Sequence, residues 1–336
     1  MESHFIELPR RVVVGRNVIE DLPTVLAGFD VKKPLVLSGE KTAVIAGNRV
    51  ADILKADLKK VEGASPDEIK KFEKIKMDAV VGVGGGKVID VGKMLAFVKG
   101  VPFISVPTSP SHDGIASDRV SLKDGEMAHS IKTVPPAAIV ADIDIIEKAP
   151  YRLIAAGCGD IISNYTAVAD WILGRAKGEY YSQYAATLSL LASEIVMKSA
   201  ELIKKGEERG IRNLMEAIVT SGIAMSIAGS SRPASGAEHM FSHALDSLGS
   251  GALHGEQCGI GSIIFACLQG GEWEKIKKSL EKIGAPTKFT QLGIRQNMVI
   301  EALLKAKDVR DRYTILNEKP FTQETAERLC KFVGVF

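Results

Sequence analysis

The sequence predicts an α/β nucleotide-binding domain over residues 1–149 followed by an all-α domain over residues 150–336, and three observations carry that expectation. In the first half, short β-rich runs alternate with amphipathic stretches, the pattern of a parallel sheet covered by helices. A triple glycine, Gly84 to Gly86, joins an apolar run to a helix-like segment. After Pro150 the apolar residues recur at three- and four-residue spacing and β-branched alternation nearly vanishes, which is helical periodicity. A length of 336 residues suits two domains of roughly 150 residues each.

Taken in order, PLVLSG reads as a strand, TAVIAGNRVADILK as a helical stretch, and SPDEIKKFEKIK as a helix with a polar start. DAVVGVGGG is a buried strand ending in glycines, and VPFISVPT and AAIVAD are two further strands, the last leaving the sheet at Asp142. Beyond the proline boundary, the stretch from Leu153 to about Phe289 reads as successive helices.

In VVGVGGGKVIDVGK the order is strand, glycine turn, helix. Glycines let backbone amides approach a phosphate, and the positive end of a helix favours a pyrophosphate. The spacing fits neither GxGxxG, since position 87 is Lys87, nor the P-loop pattern, since position 81 is Val81, so a tight turn without a ligand stays open. The next loop, SVPTSPSHDGIASD, sets Ser105, Thr108, Ser109, Ser111 and Ser117 with Asp113 after a parallel strand, where open α/β sheets bind ligands. Ordinary turn chemistry is the competing account of those hydroxyls.

Three of the six histidines fall within SSRPASGAEHMFSHALDSLGSGALHGEQ. His239 and His243 are four apart in an unbroken helical segment and share one face, and His254 opens another helical run beyond a glycine-containing turn. Imidazole is the commonest zinc ligand, although single histidines also serve as core or surface residues. Asp160, four residues before Asn164 in CGDIISNYTAVADW, supplies a carboxylate in an apolar setting where it needs a partner, whether a helix cap, a salt bridge or a metal. A carboxylate with two imidazoles and an open position is the pattern of catalytic zinc.

The chain carries 43 basic and 41 acidic residues, mixed along its length, so no block of like charge offers itself to nucleic acid or anionic lipid; small molecules are the expected partners. Cys158, Cys258, Cys267 and Cys330 form no CxxC pair and suit reduced thiols. MESHFIELPRR lacks the apolar core of a signal peptide and no run is long enough to span a bilayer, so the expected location is the cytoplasm.

Five segments, GVGGGKVIDVGK, PTSPSHDG, GCGDIISN, SRPASGAEH and HGEQ, in this order, resemble the sn-glycerol-1-phosphate dehydrogenase family, within the glycerol dehydrogenase, iron-alcohol dehydrogenase and dehydroquinate synthase superfamily. The likeness spans nearly the whole chain. It implies a dehydroquinate synthase-like or glycerol dehydrogenase-like fold with the two domains described above. It also implies metal ligands at Asp160, His239 and His254 and substrate contacts at Asp113, Asp160 and His243. Its cofactor contacts, to NAD(H) or NADP(H), fall on Gly84, Gly85, Gly86, Lys87, Val88 and Asp90, on Thr108, Ser109, Pro110 and Ser111, and on Ser117. Asn164 stands where the related iron-dependent alcohol dehydrogenases have a further histidine ligand, which favours Zn2+ over iron. Asp160 stands where dehydroquinate synthases generally have glutamate.

The implied reaction is reduction of dihydroxyacetone phosphate to sn-glycerol 1-phosphate, which in that family begins the backbone of archaeal ether lipids, with a homo-oligomer as the common assembly. The rivals are a glycerol dehydrogenase acting on unphosphorylated polyols, a dehydroquinate synthase-like lyase, and a nucleotide- or metal-binding sensor without turnover. Glu40 favours a free ribose 2′-hydroxyl and Lys41 a 2′-phosphate, so the choice between NAD and NADP stays open. For the substrate phosphate the sequence offers Arg232, either in direct contact or orienting the loop that makes it, with Lys132 as the competing cation and an Arg232–Glu238 pair as the structural alternative.

Overall fold

The computed structural model describes residues 6–124 and 127–336, with side chains outside 123–130. The chain divides into two compact units, one ending at Pro150 and the other spanning Tyr151–Phe336.

The first unit is built on a six-stranded parallel sheet. Its strands are β1 (Arg11–Gly15), β2 (Pro34–Ser38), β3 (Asp57–Lys60), β4 (Ala79–Gly84), β5 (Phe103–Pro107) and, after a hairpin of β6 (Arg119–Asp124) and β7 (Met127–Lys132), β8 (Ala138–Asp142). The order across the sheet is β1, β8, β5, β4, β2, β3. Register pairs Val36 with Val81, Val81 with Ile104, and Ile104 with Ala138. Strands β4, β5 and β8 are buried throughout, which is why they read as continuous apolar runs instead of alternating ones. Val36, Val81, Ile104 and Val140 belong to one core cluster with Ile19 and Leu22, each such side chain contributing about 1.5–3 kcal/mol on burial.

The chain steps outward from β2 to β3 and then returns to β4 on the other side of β2. This reversal puts a topological switch point at the carboxyl ends of β2 and β4, where doubly wound sheets bind ligands. The glycine turn follows β4 and Gly39 follows β2, so both sit at that point.

Four strands escaped the sequence reading. Strand β1 is half exposed at the sheet edge, β3 is short and polar, and the β6–β7 hairpin pairs antiparallel outside the main sheet. TAVIAGNRVADILK is helical but not uniform, because Ala43–Gly47 forms a π-helical turn before the Asn48–Leu54 helix.

The second unit is all helical. Its longer helices are Tyr151–Ala176, Gln183–Lys198, Glu208–Ala228, Ala237–Ser247, His254–Gln269, Trp273–Ile283, Gln296–Lys305 and Gln323–Val333. Trp171 packs in a cluster with Val168, Ala185, Ala224 and Ile227. Small residues on the facing helices allow this close approach. One buried carboxylate ties separate helices together: Asp170 accepts the Ala237 amide at 2.7 Å, the Ile315 amide at 2.8 Å and the Gln269 carboxamide at 2.9 Å. Burial, reinforced by Glu238, pushes Asp170 up to about 7. No helix among the described residues is long and apolar enough to cross a membrane.

Candidate functional site

In the first unit, Gly84 ends β4, Gly85 caps the following helix with extended backbone, and Gly86 begins that Gly86–Lys99 helix. Gly84 and Gly86 are required by close neighbours. A Cβ on Gly84 would meet the Val88 side chain at 2.8 Å, and one on Gly86 would meet the His112 ring at 2.2 Å. The next loop is stitched to this turn, since the Thr108 amide donates to Gly84 O at 3.0 Å, and Thr108, Ser109 and Pro110 are buried beside it while Ser111 is partly exposed.

The remaining predicted cofactor residues divide into two groups. Lys87 points along the surface, its Nζ donating to Glu62 O at 2.8 Å, and Val88 is buried. Asp90 and Ser117 lie in the interior, where Asp90 accepts the Ser121 amide at 3.2 Å and Ser117 Oγ accepts the Arg119 amide at 3.3 Å. Those bonds give both residues a structural task, and burial pushes Asp90 up to about 7. Asp113 opens the short 3-10 turn Asp113–Ile115, and its carbonyl accepts the Ala116 and Ser117 amides. Glu40 and Lys41 are both exposed at the carboxyl end of β2.

Two residues of this region were not singled out from sequence. Lys93 is fully buried, and its Nζ donates to Gly114 O at 2.6 Å, Ser117 O at 2.7 Å and Arg119 O at 2.8 Å. The hydroxyl loop is therefore held from below by one ammonium, which burial pulls down to about 8. His112 accepts the Gly114 amide at Nδ1, 2.9 Å, and burial and Lys93 push it down to about 4, so its ring is neutral against the glycine turn. Lys93→Met is expected to orphan three carbonyls at about 1–3 kcal/mol each. Calorimetry should show a lowered Tm, and NAD(P)H titration an affinity reduced by roughly tenfold or more, with metal content unchanged.

In the second unit, Asp160 on the Tyr151–Ala176 helix, His239 on the Ala237–Ser247 helix and His254 at the start of the His254–Gln269 helix meet. His239 Nε2 lies 3.7 Å and His254 Nε2 3.8 Å from the same Asp160 Oδ1. The two rings are edge to face with centroids 4.8 Å apart. Their other nitrogens are occupied: His239 Nδ1 donates to Glu238 Oε1 at 3.0 Å, and His254 Nδ1 donates to Ser242 Oγ at 2.8 Å. Ser242 Oγ in turn donates a hydrogen bond to Gln257 Oε1 at 2.6 Å, and Gln257 Nε2 donates to Asp246 Oδ1 at 2.9 Å. This network directs each Nε2 toward Asp160.

Two imidazole Nε2 atoms and a carboxylate oxygen converge on one place, and with His239 deprotonated there this donor set fits a divalent metal. Cys258 lies beside these three, its Sγ 3.5 Å from His254 Nε2, and the four potential ligand atoms lie within 4.8 Å of one another. The sequence held a signal for it, since Cys258 is one helical turn beyond His254. Burial pushes its thiol up to about 11. For His239, burial pulls the pKa down, but Cys258 and Glu238 outweigh it and hold it well above the usual range. His239 Nε2 would have to give up that proton to hold a metal.

Glycine sets the spacing of these helices. A Cβ on Gly159 would lie 2.2 Å from Gly255 O, one on Gly255 would lie 2.0 Å from Ala156 O, and one on Gly259 would lie 3.1 Å from Gly159 Cα. Asp160 and His254 are the immediate neighbours of the first two, so backbone contact between the helices places both ligands.

His243 lies beside the cluster and not in it, stacked on His254 with centroids 5.6 Å apart. Burial, His239 and the Arg310 and Arg312 guanidiniums push it down to about 4. Asn164 is buried one turn from Asp160, its carboxamide donating to Ser221 Oγ at 3.0 Å. Arg232 is buried too, but its partner is Glu179 and not Glu238, and Nη1 donates to Tyr313 O at 2.8 Å. Glu238 is engaged by His239, the Gly236 amide and Thr166. Lys132 is exposed and sits across the β6–β7 ladder from Arg119.

The family model of iron-containing alcohol dehydrogenases matches residues 13–150. Over 99% of this chain and 98% of its own length, the glycerol-1-phosphate dehydrogenase [NAD(P)+] of Thermococcus kodakarensis is 49% identical. The chain belongs to the glycerol-1-phosphate dehydrogenase family. The enzyme of that name from Methanothermobacter thermautotrophicus is 46% identical over the full length of both chains. In fold, the chain is similar to a probable glycerol dehydrogenase from Sinorhizobium meliloti, with TM-score 0.82 and 21% identity over 99% of this chain and all of the other. Glycerol dehydrogenase from Schizosaccharomyces pombe gives TM-score 0.83 at 20% identity over 99% of this chain and 91% of its own.

Proposed function

We propose that this protein reduces dihydroxyacetone phosphate to sn-glycerol 1-phosphate with hydride from NADH or NADPH, using Zn2+ held by Asp160, His239 and His254. Family membership at 49% identity over nearly the whole chain supports the reaction. The observation that carries the metal assignment is the pair of Nε2 atoms directed at one carboxylate oxygen by Glu238 and Ser242. Bound zinc supplies Lewis acidity to polarise a carbonyl oxygen and stabilise negative charge developing on it.

The chain's own residues supply the rest. The glycine turn and the hydroxyl loop held by Lys93 offer backbone amides and hydroxyls to a dinucleotide. Asp113 and His243 bind substrate hydroxyls in this reading. His243 is neutral at physiological pH, so it moves a proton by accepting on one ring nitrogen and releasing from the other, not by storing one as imidazolium. His243→Ala is therefore expected to keep stoichiometric zinc while kcat falls by about 10²-fold or more. Metal analysis beside steady-state kinetics checks both halves, and loss of zinc would move His243 into the ligand set.

The reading extends to a cytoplasmic homo-oligomer. All four cysteines are free thiols, and the partly exposed Ile172, Tyr184 and Leu191 on packed neighbouring helices offer apolar surface for self-association. Absorbance at the nicotinamide band tests the function with dihydroxyacetone phosphate and with dihydroxyacetone. Preference for the phosphorylated ketone supports it; equal use of both indicates a polyol dehydrogenase, phosphate release without net NADH consumption a lyase, and binding without turnover a sensor.

A further inference from the structure

Cys258 stands apart from the other thiols. Cys158, Cys258 and Cys330 are all buried, but among the described residues Cys258 alone belongs to a group of acidic, histidine and cysteine side chains able to share one ion. It lies one turn beyond His254 on the same helix, and its Sγ approaches His254 Nε2 at 3.5 Å. A free cysteine that merely fills space behaves as a small hydrophobe. This one is fully buried and faces the nitrogens and carboxylate that His239, His254 and Asp160 bring together.

The spacing of the four atoms suits four-coordinate zinc. With zinc bonds of about 2.0–2.2 Å to nitrogen and oxygen and about 2.3 Å to sulfur, donors at the corners of a tetrahedron lie roughly 3.3–3.6 Å apart. The sulfur to nitrogen distance of 3.5 Å is already in that range. The two nitrogen to oxygen distances, 3.7 and 3.8 Å, exceed it slightly, and no two of the four atoms are more than 4.8 Å apart. Gly255 and Gly259, which bracket Cys258, hold its helix against Ala156 and Gly159, so the crossing that places Asp160 and His254 also fixes the sulfur.

We propose that Cys258 Sγ is a fourth donor to the bound metal and the residue that sets the preference of the site for Zn2+. The proposal rests on the reading of Asp160, His239 and His254 as metal ligands. Carboxylate and imidazole donors alone suit several divalent ions, whereas a thiolate is a soft donor that favours zinc over Mn2+. On binding, the S–H proton is released to solvent and a sulfur lone pair forms the bond to the metal. A fourth protein donor is compatible with catalysis, because zinc can expand to five ligands.

The test loads the full-length protein with Co2+ in place of zinc and compares it with Cys258→Ser and Cys258→Ala, neither of which overpacks the core. The unaltered protein is expected to show the visible bands of bound cobalt together with a sulfur-to-cobalt charge-transfer band in the near ultraviolet. Both variants should still bind cobalt and lose the charge-transfer band. Competitive dialysis should show zinc affinity lowered by about tenfold or more in each variant, and Mn2+ affinity changed far less. Cobalt bound by the unaltered protein without the charge-transfer band, or equal losses of zinc and manganese affinity, would overturn the assignment. An unaltered protein that binds neither cobalt nor zinc would instead overturn the metal reading, and this inference with it.

Discussion

His239→Ala or His254→Ala is expected to lower turnover by about 10³-fold or more and to release the metal, because the site retains too few donors once an imidazole is gone. NAD(P)H binding should persist, since the glycine turn and its supporting Lys93 belong to the other folding unit. Metal analysis after gel filtration, with fluorescence titration of the nicotinamide, reads both halves. Near-normal activity in a metal-free variant would sink the zinc assignment. A milder change separates ligand from support: Glu238→Gln keeps the ligand set but weakens the acceptor that orients His239, and should cost about 10–100-fold in metal affinity. Acidification should also weaken metal binding. His239 holds its proton above the usual histidine range, so the metal competes with that proton increasingly as pH falls through it.

The second large effect is expected from Gly255→Ala, a one-carbon change. The new Cβ would fall 2.0 Å from Ala156 O, a backbone atom in the middle of a helix, so no side-chain rotation relieves it and the two helices must separate. Overpacking of this kind costs about 1–3 kcal/mol and occasionally more. The separation would also draw His254 away from Asp160, so a lowered Tm should come with weakened zinc binding. Unchanged stability with full metal content would show that the helix crossing does not set the ligand spacing.

Some of this was legible in sequence for plain physical reasons. Buried parallel strands such as β4 and β5 read as continuous apolar runs, and the Asp160, His239 and His254 set was marked by resemblance and then found within one cluster. Polar or edge strands were not legible, because β1 and β3 lack a buried face long enough to set a period. Long-range pairing was equally hidden. The Arg232 to Glu179 bridge spans 53 residues and the Arg312 to Ser231 bond 81, and local spacing says nothing of either. Lys93 looked like one more helix lysine until its three carbonyl partners were in view. The glycines of GCGD and HGEQCG looked like punctuation, whereas their task is a helix crossing that only three-dimensional contact reveals.

The most direct test of the central claim is the configuration of the product. Purified protein loaded with zinc should be given dihydroxyacetone phosphate and NADH or NADPH, and the glycerol phosphate formed resolved by an enantiomer-specific enzymatic or chiral chromatographic assay. The expected product is sn-glycerol 1-phosphate alone, formed in stoichiometric amount with nicotinamide oxidation. Formation of sn-glycerol 3-phosphate, or of no glycerol phosphate at all, would contradict it.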